Sequence, residues 1–93
     1  MQVIYFNSFL RAFKKLPGSR QAQINGAIDR FVYCLENKTA VSSGIGLKKL
    51  SQRLWEIRVG IDLRVVFSID SDALNLVYAG NHNEIRRYLK RDK

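Results

Sequence analysis

The sequence has little of several residue types on which small proteins often rely. In 93 residues there is one cysteine, Cys34, one histidine, His82, and one proline. A single cysteine excludes an internal disulfide, and we expect Cys34 on or beside the buried face of a helix. One cysteine and one histidine without clustered carboxylates give no metal-ligand spacing, so we expect no metal and no other cofactor.

Long apolar segments are also lacking. No hydrophobic run approaches the roughly 20 residues that a membrane-spanning helix needs. The first ten residues are apolar but have no basic leader and no small-residue cleavage site, so they do not read as a secretion signal. We therefore expect a cytoplasmic protein without a membrane association.

Acidic residues are scarce relative to basic ones. Lys and Arg number 16 against 8 Asp and Glu, which gives a formal net charge of +8 at pH 7. Hydrophobic residues make up 46% and charged residues 26%, an ordinary globular composition. The length favours one domain over residues 1–93. The charge predicts a polyanionic partner: nucleic acid, an acidic protein or, on charge alone, an anionic membrane surface.

The hydrophobic pattern predicts an α+β fold. A β-branched and aromatic segment at 2–6 predicts a strand, and a short helix capped by Asn7 or Ser8 is expected to follow it. A second apolar stripe at helical spacing predicts a helix over about 20–36, and a loop rich in Ser and Gly follows at 39–46. Beyond it the period changes to two, which predicts an antiparallel meander of three to four strands before a short C-terminal helix.

The alternation in the meander separates two sheet faces. Trp55 and Ile57 point to one face, which the helices must cover, while Glu56, Arg58 and Arg64 point to the other. Cross-strand neighbours lie about 5 Å apart. We therefore expect an uncovered polar surface that could hold a phosphate.

The residue types on this surface fit chemistry on a phosphodiester. Glycine patterns for nucleotide phosphates are lacking, and nothing places Cys34 near a histidine partner. Cleavage of RNA needs a base for the 2′-OH, cations for the crowded phosphate and an acid for the leaving oxygen. Glu56 or His82 could be the base, Arg58 and Arg64 could hold the phosphate, and His82 or Tyr88 could supply the proton, with no metal.

Each of these residues also has a structural interpretation. Glu56 and Arg58 could be solvated, Arg64 could pair with Glu56, His82 could be a surface or capping residue, and Tyr88 could stack on a base or anchor the last helix. A further set of cations could be nonspecific contacts to nucleic-acid phosphates: Lys48, Lys49, Arg53, Arg86, Arg87 and Lys90. The residues alone indicate a basic α+β nucleic-acid binder.

An ordered set of segments resembles a known superfamily. The set comprises Leu-Lys-Lys-Leu at 47–50, Leu-Trp-Glu-Ile-Arg-Val at 54–59, Leu-Arg-Val-Val-Phe-Ser-Ile at 63–69, Tyr-Ala-Gly-Asn-His at 78–82, and Tyr88. It resembles the RelE/ParE superfamily of type II toxin–antitoxin toxins. The strand, helix, helix, strands order matches as well, so the resemblance covers most of the chain.

The resemblance implies a function and roles for five residues. RelE-like members are ribosome-dependent endoribonucleases that cut mRNA in the A site and are neutralised by an antitoxin. By position, Arg64 matches a phosphate-contacting arginine, Arg58 a basic catalytic residue, His82 a position that holds His or Arg, and Tyr88 a C-terminal tyrosine. Glu56 stands where the RelE subgroup has lysine, which leaves the general base open between Glu56 and His82.

The resemblance also implies partners and an alternative. A hetero-oligomer with a cognate antitoxin is expected, together with binding to the ribosome and mRNA. The ParE branch shares the fold but inhibits DNA gyrase and lacks the nuclease residues. The presence of Arg58, Arg64, His82 and Tyr88 together favours the mRNA interferase branch. The alternatives are a gyrase inhibitor and a noncatalytic nucleic-acid-binding module.

Overall fold

The computed structural model describes residues 1–37 and 46–91. The loop predicted at 39–46 lies outside the described residues, except for Gly46. Eight elements follow one another along the described chain: β1 (Gln2–Tyr5), α1 (Asn7–Lys14), α2 (Gly18–Glu36), β2 (Lys48–Lys49), β3 (Trp55–Val59), β4 (Leu63–Asp70), β5 (Ala73–Asn81) and α3 (His82–Arg91).

The strands form one mixed sheet in the order β1-β5-β4-β3-β2. The last four strands are an antiparallel meander, and β1 pairs in parallel with β5 at its edge. A three-residue turn, Gly60 to Asp62, with Gly60 at a φ of 66°, reverses the chain between β3 and β4. The α+β class and the predicted order of elements are thereby confirmed.

The first two helices cover one face of the sheet. The apolar stripe of α2 buries Ile24, Ala27, Ile28 and Phe31, and the ring centroid of Phe31 lies 4.9 Å from that of Phe67. The strand residues of this core are Ile57, Val59, Leu63, Val65, Phe67, Leu74, Leu76 and Ala79. Removal of these apolar side chains from water is the main favourable term in the stability of the fold.

A β-bulge in β5 changes which side chains reach the second face. Val66 pairs with Tyr78, but the next residue, Phe67, pairs with Leu76, so Val77 is an extra residue in β5. The bulge lets Leu76 and Ala79 both join the core under the helices, while Val77 and Tyr78 join a second apolar cluster.

The expectation that the second face is uncovered was wrong. Helix α3 folds back over it, and Ile85 packs in one cluster with Val66 and Val77, with Tyr88 and Leu89 packed against them. Val66 and Val77 are at most 5% exposed. The apolar side chains of Val66 and Val77 are buried on that face, and the apolar stripe of α3 covers them. The β2–β3 side of this face stays accessible, where Lys48 and Arg58 are exposed.

The start of α1 also differs from the prediction. Phe6, rather than Asn7 or Ser8, occupies the cap position, and no side chain caps the helix. The Ser8 hydroxyl instead donates a 2.5 Å hydrogen bond to the carbonyl of Val77. That contact gives a partner to the carbonyl of the bulged residue.

Within the described residues, no helix combines the length and apolar character that crossing a bilayer requires.

Candidate functional site

Two cross-strand rows on the second face bring the predicted site residues together. One row runs from Arg58 to Arg64 to Gly80, and the neighbouring row runs from Lys48 to Glu56 to Val66. Arg58 and Arg64 are therefore direct neighbours on adjacent strands. Since Gly80 has no side chain, nothing on β5 stands directly beside Arg64 in its row.

Arg64 and Glu56 form an ion pair across the diagonal of these rows. Arg64 Nε lies 3.0 Å from Glu56 Oε2, and the side chains are 17% and 9% exposed. Glu56 is thus buried rather than solvated, which corrects one of the interpretations open from the sequence. The pairing of Arg64 with Glu56 is confirmed.

The same guanidinium keeps one nitrogen without a partner. Arg64 Nη1 is buried and makes no hydrogen bond to the residues that the structure describes. A buried donor that lacks an acceptor is costly, and a guanidinium presents several donors in a fixed fork. Glu56 occupies the Nε side, so the Nη1 side is the part of the fork that an anion could complete.

Arg58 is exposed at the open side of the face. Gly46 lies against its stem, and a Cβ at residue 46 would stand 3.0 Å from Arg58 Cβ. Gly46 also has a φ of 61°, a conformation that residues with a side chain rarely adopt. The glycine therefore lets the chain before β2 pass close to Arg58 and leaves the guanidinium in solvent.

A reciprocal capping box sets the start of α3. The backbone N–H of Glu84 donates to Asn81 Oδ1 at 2.8 Å, and that of Asn81 donates to Glu84 Oε1 at 2.9 Å. A Cβ at Gly80 would lie 3.0 Å from Glu84 Oε1, so the glycine makes room for this carboxylate. His82 is the first residue of α3 and is exposed. It lies two residues beyond Gly80, the cross-strand neighbour of Arg64 on β5.

Tyr88 is held by stacking. Its ring centroid lies 4.4 Å from that of Tyr78, with the planes 12° apart. Tyr88 is half-buried and packs against the second apolar cluster. Its interpretation as an anchor of the last helix is confirmed.

The predicted RNA contacts are all exposed but do not share one face. They are Lys48, Lys49, Arg53, Arg86, Arg87 and Lys90. Lys48 is the cross-strand neighbour of Glu56 in the sheet and belongs to the face of the site. Lys49 points to the opposite face, where its Nζ lies 5.6 Å from the ring centroid of Trp55.

Sequence reasoning missed a cationic cleft between α1 and α3. The cleft has a volume of about 510 Å³, and Arg11, Lys15, Arg87 and Arg91 line it. Arg87 and Arg91 lie four residues apart on α3, and Arg11 of α1 lies four residues before Lys15, the C-cap of that helix; residues at this spacing lie on one side of a helix. That spacing was visible in the sequence; the apposition of the two helices was not.

Over residues 1–37 and 46–91, no three His, Cys, Asp or Glu side chains cluster as metal ligands would.

Comparison with known proteins gives matches in structure only. No protein-family model matches the sequence, and no curated protein matches it. A copper-bound mutant toxin from Helicobacter pylori superposes with a TM-score of 0.70 at 20% identity, over 91% of this chain and 98% of that one. The RelB–RelE antitoxin–toxin complex from Methanococcus jannaschii gives 0.69 at 20% identity, over 91% and 96%. The fold is that of the RelE-like toxins.

A third structure extends the comparison. The DinJ–YafQ toxin–antitoxin complex from E. coli gives a TM-score of 0.68 at 11% identity, over 90% of this chain and 94% of that one. The resemblance drawn from the strand and C-terminal segments is thus confirmed for the RelE-like fold.

Proposed function

We propose that this RelE-like chain is the toxin of a type II toxin–antitoxin system, a cytoplasmic ribosome-dependent endoribonuclease that cuts mRNA in the A site. The fold supports a toxin role because the similar structures include toxins in complex with antitoxins. The observation that carries the nuclease proposal is Arg64: its buried Nη1 lacks a partner, and Arg58 is its direct cross-strand neighbour. Two guanidinium groups so placed suit one phosphate.

The proposed reaction is an internal transesterification. Arg58 and Arg64 bind the scissile phosphate and stabilise the charge that builds up on its oxygens. A base removes the 2′-OH proton, the 2′-oxygen attacks phosphorus, and the bond to the 5′-oxygen breaks as that oxygen takes a proton. The products are a 2′,3′-cyclic phosphate and a 5′-hydroxyl, and no metal takes part.

The geometry favours different roles for the two candidate bases. Glu56 is buried and its Oε2 is in contact with Arg64, so we assign it as the residue that positions Arg64. His82 is exposed at the start of α3, near the end of the row that holds Arg64, and we assign it as the base. Tyr88, which stacking fixes in place, is assigned as the proton donor to the leaving oxygen.

The basic surface accounts for the proposed partners. With a net charge of +8, the chain is attracted to the ribosome and mRNA. A cognate antitoxin would neutralise the toxin in a hetero-oligomer by covering the same cations with an acidic or amphipathic segment.

Induced expression in a bacterial host tests the proposal. Primer extension on an abundant mRNA at the moment of growth arrest should show cuts within translated codons. Arg58→Ala should reduce the cuts about 100-fold or more, because one of the two phosphate-binding cations is lost. Since Arg58 is exposed, its replacement should leave the fold intact. Arg30→Ala, which removes an exposed cation on α2, is the matched control and should leave cleavage unchanged.

The other outcomes point elsewhere. Growth arrest with intact mRNA and a DNA-damage response would contradict the nuclease proposal in favour of gyrase inhibition. Expression without any arrest would contradict the toxin proposal.

A further inference from the structure

A second groove lies on the same sheet face, farther along β4 from the proposed cleavage site. It has a volume of about 800 Å³, and its lining includes Phe6, Arg53, Ser68, Asp70, Asn75 and Tyr88. Ser68 is four residues from Arg64 on one strand, a separation of about 13 Å. The groove therefore lies beside the site without containing its arginines.

Hydrogen bonds hold the polar floor of this groove in one arrangement. Asn75 is 6% exposed, and its Nδ2 donates to Ser68 Oγ and to Asp70 Oδ2, each at 3.2 Å. Both amide protons of Asn75 are thereby used within the protein. Asp70 keeps Oδ1 and a second lone pair on Oδ2 as acceptors, so both carboxylate oxygens can still accept a hydrogen bond, and the residue is exposed at the groove.

The lining points to a base rather than to a phosphate at the floor. A carboxylate repels phosphate oxygens, so Asp70 is misplaced in a surface that binds only an RNA backbone. Phe6 and Tyr88 provide aromatic rings of the kind on which unstacked bases pack. Arg53, in the connection before β3, is a cation of the lining that a nucleotide phosphate could approach.

A carboxylate can discriminate among bases by the donors that each base presents. Guanine presents two adjacent donors, N1–H and the N2 amino group, which match the two oxygens of a carboxylate. Adenine and cytosine present one amino group beside an acceptor nitrogen, and uracil presents one N–H between two carbonyls. An acceptor pair therefore suits guanine best.

We propose that the groove between Phe6, Tyr88 and the Ser68–Asp70–Asn75 floor binds a guanine base of single-stranded RNA, with Asp70 as the residue that selects it. This inference rests on the proposed function for its biological setting, since the guanine would belong to the mRNA next to the cut. Binding at the groove requires neither the ribosome nor cleavage, so it is measurable on its own.

The test is a titration of the full chain with mononucleotides at fixed ionic strength, followed by NMR of the backbone amides. Guanosine 5′-monophosphate should bind most tightly and shift the amides of Ser68 and Asn75. Inosine 5′-monophosphate, which lacks the N2 amino group, should bind about tenfold more weakly. The adenosine, cytidine and uridine monophosphates should bind more weakly than the guanosine nucleotide.

Variants separate base selection from charge. Asp70→Asn should remove the preference for guanine, whereas Asp72→Asn, the same change of charge two residues away, should keep it. Equal affinity for all nucleotides, equally effective binding of inorganic phosphate, or no saturable binding would overturn the proposal. The nucleotide series on the unaltered chain decides the question even where a variant fails to fold.

The two proposals fail separately. Guanine-selective binding by a chain that leaves mRNA intact would refute the nuclease and keep the groove. Codon cleavage by a chain that binds all nucleotides alike would refute the groove and keep the nuclease.

Discussion

Arg64 holds the buried carboxylate of Glu56 at 3.0 Å and keeps its own Nη1 buried without a partner. The pair links stability to the proposed function. Glu56 fixes one side of the guanidinium, and the fork can then bind a phosphate without paying much conformational entropy at the moment of binding. The same arrangement makes each partner dependent on the other for its place in the sheet.

Arg64→Ala should destabilise the fold by about 3 kcal/mol, because a buried carboxylate would lose its counter-charge. Urea unfolding should show a lower midpoint with an unchanged slope. The double variant Glu56→Gln/Arg64→Ala should recover part of the loss. Equal stability of Arg64→Ala and the unaltered chain would show that the pair contributes nothing to folding.

The capping box gives a second prediction. Asn81→Ala should cost about 1 kcal/mol and increase amide hydrogen exchange in the first turn of α3, since the N–H of Glu84 loses its acceptor. Glu84→Gln preserves the reciprocal bonds and is the control, with exchange close to that of the unaltered chain. Unchanged exchange in Asn81→Ala would contradict the structural role assigned to this cap.

A substitution at Tyr88 can distinguish its role in packing from its proposed role as a proton donor. Tyr88→Phe keeps the stack on Tyr78 and removes only the hydroxyl, so its unfolding free energy should change by less than about 0.5 kcal/mol. Cleavage of mRNA should nevertheless fall about 100-fold if the hydroxyl protonates the leaving oxygen. Tyr33→Phe, on an exposed ring of α2, is the control. Full cleavage by Tyr88→Phe would remove Tyr88 from the mechanism.

The cleft between α1 and α3 should bind RNA phosphate. Arg11→Glu should weaken binding of a short single-stranded RNA, and the slope of log K against log salt should become shallower by about 0.7 for the lost contact. Arg30→Glu introduces the same change of charge on α2, outside the cleft. Identical slopes for the two variants would mean that only net charge matters.

Much of the fold was predictable because the apolar period changes clearly along the chain. The stripe of α2 with Ile24, Ile28 and Phe31 and the alternation over β3 and β4 both agree with the observed burial. The cover over the second face was not predicted. The bulge at Val77 has no signature in a single sequence, and without it Val77 and Tyr78 would point to opposite faces.

The sequence predicted which residues share the face of the candidate site, but not how deeply they are buried. A period of two placed Glu56, Arg58 and Arg64 on one face, as observed. It could not show that Glu56 is buried, because its burial depends on the strands on either side and on the contact with Arg64. The buried Nη1 of Arg64 is likewise a property of three-dimensional packing.

The most direct test of the central claim is mRNA cleavage in a reconstituted translation system, with and without ribosomes, by the unaltered chain and by Arg58→Ala. We predict cuts within the A-site codon that require the ribosome, carry a 5′-hydroxyl on the downstream fragment and fall about 100-fold or more in Arg58→Ala. Arg30→Ala should cut like the unaltered chain. Intact mRNA on programmed ribosomes, or equal cleavage by Arg58→Ala, would contradict the account.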